Sequence, residues 1–353
     1  MQQVKRVHDS IASLLVLVVI LGIFYTLLRI GQVNEGTTFS IDSIQSFKTI
    51  FLGILLEALP FILIGSFVSS IIQIFVPEEA LSRIIPKNHG IGIFVAAALG
   101  LVFPICECAI IPVIRRLIKK GVPLHITIAF MLSAPILNPV VLLSTYYAFA
   151  GFAKIVIIRG VAGFALSVAI ANTIRFIFKG NQLLNNSHHN QQQHNCCSHE
   201  HHQHTSHGHH HQCKPSTPGN KLIEIMEHSC NEFFDVGKYL ILGATLSALM
   251  QTFVSRASLF SIGQGNIASI LVMLSLAFIL SLCSEADAFV ARTFLSQFTT
   301  GSIIGFLVLG PMIDIKNTFM LLGSFKKPFV LALMSLIFLF TFAMSVLLNL
   351  VRI

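Results

Sequence analysis

The chain has 353 residues, of which 54% are hydrophobic and only 11% are charged. Soluble domains carry about 25% charged residues, so this composition excludes an ordinary soluble domain and indicates a polytopic membrane protein. The formal net charge of +8 does not indicate nucleic-acid binding, because the basic residues lie in short loops between apolar segments, where they set orientation.

Apolar segments long enough for a membrane-crossing helix follow one another along the chain. They lie at 11–28, 50–76, 91–114, 122–149, 155–178, 233–254, 266–291, 299–322 and 328–350. We read the first as a true span rather than a signal peptide, because it is long and no small-residue cleavage site follows it. The sequence therefore predicts an all-α polytopic integral membrane protein of about 8–9 hydrophobic segments, of which one or two are re-entrant.

A polar stretch separates two membrane halves. Residues 180–220 have almost no apolar content, which predicts a disordered linker, and the neighbouring Arg175 and Lys179 place it in the cytoplasm. Imidazoles and thiols bind Zn, Cu, Ni or Co, and their irregular spacing favours many weak sites, although a merely solvating linker is the alternative. The predicted metal ligands are His188, His189, His194, Cys196, Cys197, His199, His201, His202, His204, His207, His209, His210, His211 and Cys213.

The two halves resemble each other, which gives four regions: an N-terminal span and loop (1–45), a first repeat (46–179), the linker (180–220) and a second repeat (221–353). Without a gap, the matches pair Glu57 with Asp235, Gly65 with Gly243, Ser69 with Ser247, Gln73 with Gln251 and Glu107 with Glu285; after a two-residue gap, they pair Pro135 with Pro311 and Asn138 with Asp314. Duplicated transporters with broken helices bind substrate at mid-membrane, between the repeats. Inverted and parallel repeats both remain open.

The stretch LVFPICECAIIP (101–112) combines two thiols, a carboxylate and two prolines within an apolar run. A carboxylate at membrane depth costs about 2.5–3.5 kcal/mol on insertion scales, so it is rarely left there without a role. Pro104 and Pro112 predict an unwound helix, in which Cys106, Glu107 and Cys108 share one face and bind a soft cation. The alternative is that the cysteines pack as small apolar residues.

Further candidate residues lie in the second half and at a second helix break. Cys283, Glu285 and Asp287 would supply opposing ligands or a coupling proton, unless the segment ends near the membrane surface and its carboxylates are hydrated. Asn138 and Asp314 would add polar groups where prolines interrupt helices. Glu57 and Asp235 stand near the starts of their spans, where an acid also suits the helix dipole.

The motifs FPICECAIIPVIRRLIKKGVP, SAPILNPVVL and SLCSEADAFVARTF, within residues 45–350, resemble the YraQ/YcgR-type predicted permease family. That family includes the organoarsenical efflux permease ArsP, and its YcgR-type members are thought to work beside a second membrane protein. The resemblance implies a permease, with arsenical coordination falling on Cys106, Cys108 and Cys283. The His-rich insert favours a divalent metal instead.

These observations predict a secondary transporter that moves a soft metal ion or metalloid across the plasma membrane by alternating access. Its expected partners are the lipid bilayer, the substrate and a second membrane subunit, with no nucleic acid and no required cofactor. No nucleotide-binding P-loop and no hydrolase motif occur, so we do not expect an enzyme. The alternative is a non-transporting metal-responsive sensor or a subunit of a two-component membrane complex.

Overall fold

The computed structural model describes residues 41–75, 89–103, 105–178, 182–184, 218–253 and 265–351, and this part of the chain is helical throughout. The first half contains α1 (Ile41–Phe75), α2 (His89–Leu99), α3 (Glu107–Lys119), α4 (Leu124–Leu137), α5 (Pro139–Ala148) and α6 (Ala153–Ile177). The second half contains α7 (Pro218–Phe253), α8 (Asn266–Leu280), α9 (Asp287–Thr293), α10 (Thr300–Met312), α11 (Ile315–Ser324) and α12 (Lys327–Leu350).

Six helical stretches of the described chain are long and apolar enough to cross a membrane, three in each half. They are Ile44–Gln73, Leu124–Ala148, Ala153–Ile177, Ile225–Thr252, Thr300–Ser324 and Lys327–Leu350. The prediction of an all-α, multi-pass membrane protein is therefore confirmed. The predicted span 11–28, Pro104 and the metal ligands between His188 and Cys213 lie outside the described residues.

The two segments that carry the conspicuous motifs are each divided into shorter helices. The first is interrupted between Leu99 and Glu107, and the second between Leu280 and Asp287, where Ser281 has a positive φ of 45°. An 11-residue helix such as α2 is about 16 Å long, roughly half of the 30 Å hydrocarbon layer, so it is too short to cross that layer by itself. The expectation that Pro112 helps to unwind this segment is wrong, because Pro112 lies buried within α3.

The second pair of breaks is formed by residues that act as helix caps. Asn138 separates α4 from α5, and its Oδ1 accepts a hydrogen bond from the Val140 amide at 2.9 Å. Asp314 separates α10 from α11, and its Oδ1 accepts from the Asn317 amide at 2.7 Å. A short polar side chain at this position satisfies amides that the new helix leaves without a partner. Both predicted break residues therefore begin a helix.

Two glycines allow the long helices to approach the short ones closely. A Cβ added at Gly65 of α1 would lie 2.5 Å from the Ala109 carbonyl oxygen of α3. A Cβ added at Gly243 of α7 would lie 2.7 Å from the Lys316 Cα of α11. Membrane helices use small residues for such contacts, because lipid gives no hydrophobic drive to associate. These contacts hold α3 and α11, which carry the charged residues described below, against α1 and α7.

Ordered structure extends into both ends of the range predicted as the linker. Leu183 forms an antiparallel bridge with Phe325, and Leu184 donates its amide to the Ser324 carbonyl at 3.0 Å. At the other end, α7 begins at Pro218. The segment without described structure is therefore shorter than 180–220, and it is attached on one side to the end of α11.

Candidate translocation site

Glu107 occupies a buried position where the two halves meet. It is the first residue of α3 and is 2% exposed. Its Oε1 lies 3.1 Å from Lys316 Nζ, and its Oε2 accepts a hydrogen bond from Ser284 Oγ at 3.3 Å. The N-terminal end of a helix also favours a carboxylate. The predicted membrane carboxylate is therefore held by residues of the second half.

Lys316, the second residue of α11, lies within a group that we call the Lys316 cluster: Glu107, Asp314, Lys316 and the Ser281 carbonyl. Besides Glu107, its Nζ donates to Asp314 Oδ2 at 2.8 Å and to the Ser281 carbonyl at 3.1 Å. An ammonium has three donors, so these three oxygens use its full capacity. The Ser281 carbonyl is available because α8 ends at Leu280.

A second group, the Arg159 cluster, consists of Thr145, Arg159, Asp287 and the Ser284 carbonyl. Arg159 of α6 contacts both carboxylate oxygens of Asp287, the first residue of α9, at 3.0 and 2.7 Å. Its Nη1 also donates to Thr145 Oγ1 at 2.6 Å, and its Nη2 to the Ser284 carbonyl at 3.4 Å. Arg159 is completely buried, so this bidentate pair forms away from solvent.

The two clusters are reciprocal. In the Lys316 cluster, a cation of the second half binds a carboxylate of the first, whereas Arg159 of the first half binds Asp287 of the second. Ser284 joins them, since its hydroxyl donates to Glu107 and its carbonyl accepts from Arg159. Three carboxylates face two cations, which leaves one negative charge in excess. Ionisable residues buried in this way within membrane segments mark a candidate functional site.

Cys106, Cys108 and Cys283 are buried and free, whereas Cys230 of α7 is exposed. Cys106 precedes α3 in an extended conformation, Cys108 lies in its first turn, and the Cys283 thiol donates to Glu285 Oε2 at 2.7 Å. Glu285 itself is only partly buried. Among the described residues, no three histidine, cysteine, aspartate or glutamate side chains are grouped as a metal site requires.

The remaining acids differ from one another. Glu57 does not stand near the start of its span, as the sequence suggested, but near the middle of Ile44–Gln73, and it is exposed. Asp235 also lies inside its span, Ile225–Thr252, rather than at its start; its side chain is exposed and pairs with Lys238 at 3.2 Å. Neither Glu57 nor Asp235 is therefore a capping group at the start of its span.

Comparison with known proteins agrees with this architecture. The model of a predicted permease family, ArsP_1, matches residues 43–350. The chain belongs to this permease family. It is 47% identical over 316 residues to UPF0718 protein YcgR of Bacillus subtilis, which covers 87% of this chain and 98% of that protein.

A Streptococcus mutans protein, provisionally named a two-component membrane permease complex subunit, is 34% identical over 290 residues, covering 82% of this chain and 90% of that protein. No solved structure matches the chain. The resemblance predicted from the sequence motifs is thus confirmed at the level of the family.

Reasoning from the sequence missed both cations of the site, Arg159 and Lys316, together with Ser284 and Thr145. The signal was present, because Arg159 interrupts the apolar run AKIVIIRGVAGF and Lys316 follows Asp314 in MIDIKN. A cation within a membrane segment needs a partner as much as a carboxylate does. The sequence analysis used basic residues only to predict orientation in the membrane. It therefore did not predict Arg159 and Lys316 as residues of the site.

Proposed function

We propose that the chain is a secondary permease of the plasma membrane, which moves a soft metal ion or metalloid species by alternating access. The observation that carries the proposal is the pair of reciprocal ion clusters at helix breaks between the two halves. Ion pairs that join two halves within a membrane can exchange partners when the halves move. Interrupted helices at this depth are the usual binding element of secondary transporters.

The two halves would be inverted repeats. Each half has three candidate spans among its described residues, and an odd number of crossings reverses the direction in which the next half enters the membrane. The charge distribution supports this: Arg115, Arg116, Lys119 and Lys120 lie at the end of α3, whereas Arg292 lies at the end of α9. By the positive-inside preference, the end of α3 and the His-rich linker face the cytoplasm.

The proposed substrate site includes Cys106, Glu107, Cys108 and Cys283, with Glu285 at its more accessible edge. These side chains are not grouped as a metal site in the conformation described, so they would come together only when the halves move. Thiols give selectivity for soft cations or trivalent metalloids, and the carboxylates balance the positive charge of the bound species. Because Glu107 and Asp314 are occupied by Lys316 in the conformation described, binding requires this ammonium to move. Asp287, held by both nitrogens of Arg159, would instead be a structural counter-ion.

The residues of the linker would collect metal on the cytoplasmic side. Its histidines and cysteines are dense but irregularly spaced, which favours weak and rapidly exchanging sites for Zn, Cu, Ni or Co. Such sites would raise the local concentration of metal beside the N-terminal end of α7, which follows the linker directly. The chain itself would need no bound cofactor and would catalyse no reaction.

The test is the cellular content of metals and arsenic, measured by mass spectrometry. A deletion strain, the wild type and a Glu107→Gln strain are challenged in turn with zinc, copper, cobalt, nickel and arsenicals. We expect one element to change in the deletion strain and in the Glu107→Gln strain alike, and the sign of the change gives the direction of transport.

The matched control is Asp235→Asn, which neutralises an exposed carboxylate of the same protein and should behave as the wild type. Membrane-fraction immunoblots establish that each variant is inserted. Unchanged content of every element in the deletion strain would contradict the proposal. A change in the deletion strain with normal content in Glu107→Gln would contradict the site but not the function.

A second candidate is supported by the Streptococcus mutans relative, whose name describes a subunit of a two-component complex. In that case, the exposed Glu57 at mid-span would face a second membrane protein or a water-filled space shared with it. The chain reconstituted alone would then show no flux, while co-expression with the second subunit would restore it.

A metal-responsive sensor would be distinguished from both by deleting residues 188–213. A permease should keep part of its flux without these residues, because its membrane site remains. A sensor should lose its whole response, because the linker is its metal-binding part.

A further inference from the structure

The Lys316 ammonium is surrounded by oxygens from three separate parts of the chain. Glu107 belongs to α3, Asp314 precedes α11, and the Ser281 carbonyl follows the end of α8, with distances from Nζ of 3.1, 2.8 and 3.1 Å. Lys316 is 3% exposed. The ammonium therefore occupies a closed arrangement that consists only of oxygen acceptors.

These oxygens are the ligand types that hold alkali cations in membrane proteins. Two of the oxygens belong to carboxylates. Hard cations such as Na⁺ and K⁺ prefer carboxylate oxygens to soft ligands such as thiolates. The third is a backbone carbonyl at the C-terminal end of an interrupted helix, where the helix dipole is negative. Secondary transporters bind Na⁺ with such released carbonyls and helix ends. The surroundings of Lys316 thus match a monovalent-cation site more closely than an ordinary salt bridge between two side chains.

We infer that the Lys316 cluster is a monovalent-cation site whose resident cation is the Lys316 ammonium. The lysine takes the place between Glu107 and Asp314 that Na⁺ or K⁺ would otherwise hold, so neither ion enters the wild-type site. An alkali cation enters only when the ammonium is removed. This inference concerns a site that the proposed permease uses, but it depends on no transported substrate.

A further acceptor lies on the same turn of α11. The Asn317 side-chain oxygen is buried and has no hydrogen-bond partner within the part of the chain that the structure describes. An ammonium has only three donors and they are already used. The lysine therefore leaves this neighbouring oxygen without a partner among the described residues.

The test removes the ammonium and offers the site a free cation. The full chain is purified in detergent, and its Tm is measured in choline, sodium and potassium chloride at equal chloride concentration. We expect the wild type to have the same Tm in all three. Lys316→Ala should have a lower Tm in choline, and this Tm should rise with Na⁺ or K⁺ and saturate, because a ligand that binds only the folded state stabilises it by mass action.

Two variants show whether the response comes from this site. Adding Glu107→Gln to Lys316→Ala should abolish most of the rise, because one of the carboxylates is lost. Lys238→Ala removes an exposed lysine that pairs with Asp235, and it should show no cation dependence. If the Lys316→Ala protein aggregates in choline chloride, the inference still predicts that it is monodisperse when Na⁺ or K⁺ is present throughout purification.

Three outcomes would overturn the inference. They are a folded Lys316→Ala protein with equal Tm in all three salts, a wild type that responds to Na⁺ as strongly as the variant, and aggregation of both Lys316→Ala and Lys316→Ser in every salt. Failure of the permease proposal would instead appear in cellular metal content. That failure would leave these measurements unchanged.

Discussion

The two buried ion clusters join the halves in the same way, yet they differ in how completely their charges are matched. In the Arg159 cluster, one guanidinium binds both oxygens of one carboxylate, at 3.0 and 2.7 Å. In the Lys316 cluster, one ammonium is shared between two carboxylates, at 3.1 and 2.8 Å. The first cluster is neutral, and the second carries one excess negative charge. Only the second keeps an unmatched carboxylate, which another cation could use once the ammonium has moved.

The choice of cation reinforces this difference. The guanidinium of Arg159 is planar and fixed in orientation, so each of its contacts with Asp287 supports the other. The ammonium of Lys316 is a compact charge on a flexible stem, which can leave its oxygens without moving α11. We therefore assign the Arg159 cluster to holding the halves together and the Lys316 cluster to exchange.

The comparison predicts the largest loss of stability at Arg159. Arg159→Met leaves the Asp287 carboxylate buried without its partner, and removing one member of a buried ion pair costs about 3–5 kcal/mol. The Tm of the purified protein and the yield of monodisperse protein measure the loss. Adding Asp287→Leu should recover part of it, because the unpaired charge is removed as well.

Lys238→Met is the control, since it breaks an exposed pair that is worth about 0–1 kcal/mol. If Arg159→Met lowered the Tm no more than Lys238→Met does, Arg159 would not hold the halves together. The assigned difference between the two clusters would then disappear.

A smaller effect is expected where α7 supports the Lys316 cluster. In Gly243→Ala, the new methyl group would lie 2.7 Å from the Lys316 Cα, and such overpacking costs about 1–3 kcal/mol. The backbone of α11 must shift, which displaces the ammonium from its oxygens. Thermal unfolding measures the cost.

Gly237→Ala, six residues earlier on the same helix, is the matched control because a Cβ there meets nothing within 4 Å. It should be neutral or gain about 0.5–1 kcal/mol, since alanine loses less backbone entropy than glycine. Equal effects of the two substitutions would mean that the contact between Gly243 and α11 does not position Lys316.

The sequence predicted those parts of the site whose signal is local. A carboxylate in the apolar stretch 101–112 identified Glu107, and prolines followed by a polar residue identified the breaks at Asn138 and Asp314. Composition and hydropathy were sufficient for an all-α membrane fold. Each of these inferences uses residues that are neighbours in the chain.

The partners of those residues could not be predicted in the same way. Lys316 lies 209 positions after Glu107, and Asp287 lies 128 positions after Arg159. No local pattern in a single sequence specifies such a contact. Glu107 and Asp287 each begin a helix after a break, whereas the match between the two halves of the sequence paired Glu107 with Glu285.

The smallest change in stability is expected at Glu285, two residues before Asp287. Glu285 is partly exposed, and the hydrogen bond that the Cys283 thiol donates to it at 2.7 Å can be accepted equally by an amide oxygen. Glu285→Gln should therefore change the free energy of unfolding by about 0.5 kcal/mol or less, as substitutions outside buried networks usually do. Asp287→Asn, which weakens the bidentate pair with Arg159, should cost several times more.

Transport measurements should rank the same two residues in the opposite order: the substitution at Glu285 should affect transport directly, and that at Asp287 only through protein stability. If Glu285 lies at the accessible edge of the substrate site, Glu285→Gln will alter the cellular content of the transported element while the protein remains as stable as the wild type. Asp287→Asn should lower transport only as far as it lowers the amount of folded protein in the membrane, which an immunoblot of that fraction measures. A stable Glu285→Gln protein with normal transport would remove Glu285 from the site and leave Glu107 as the carboxylate that the substrate meets.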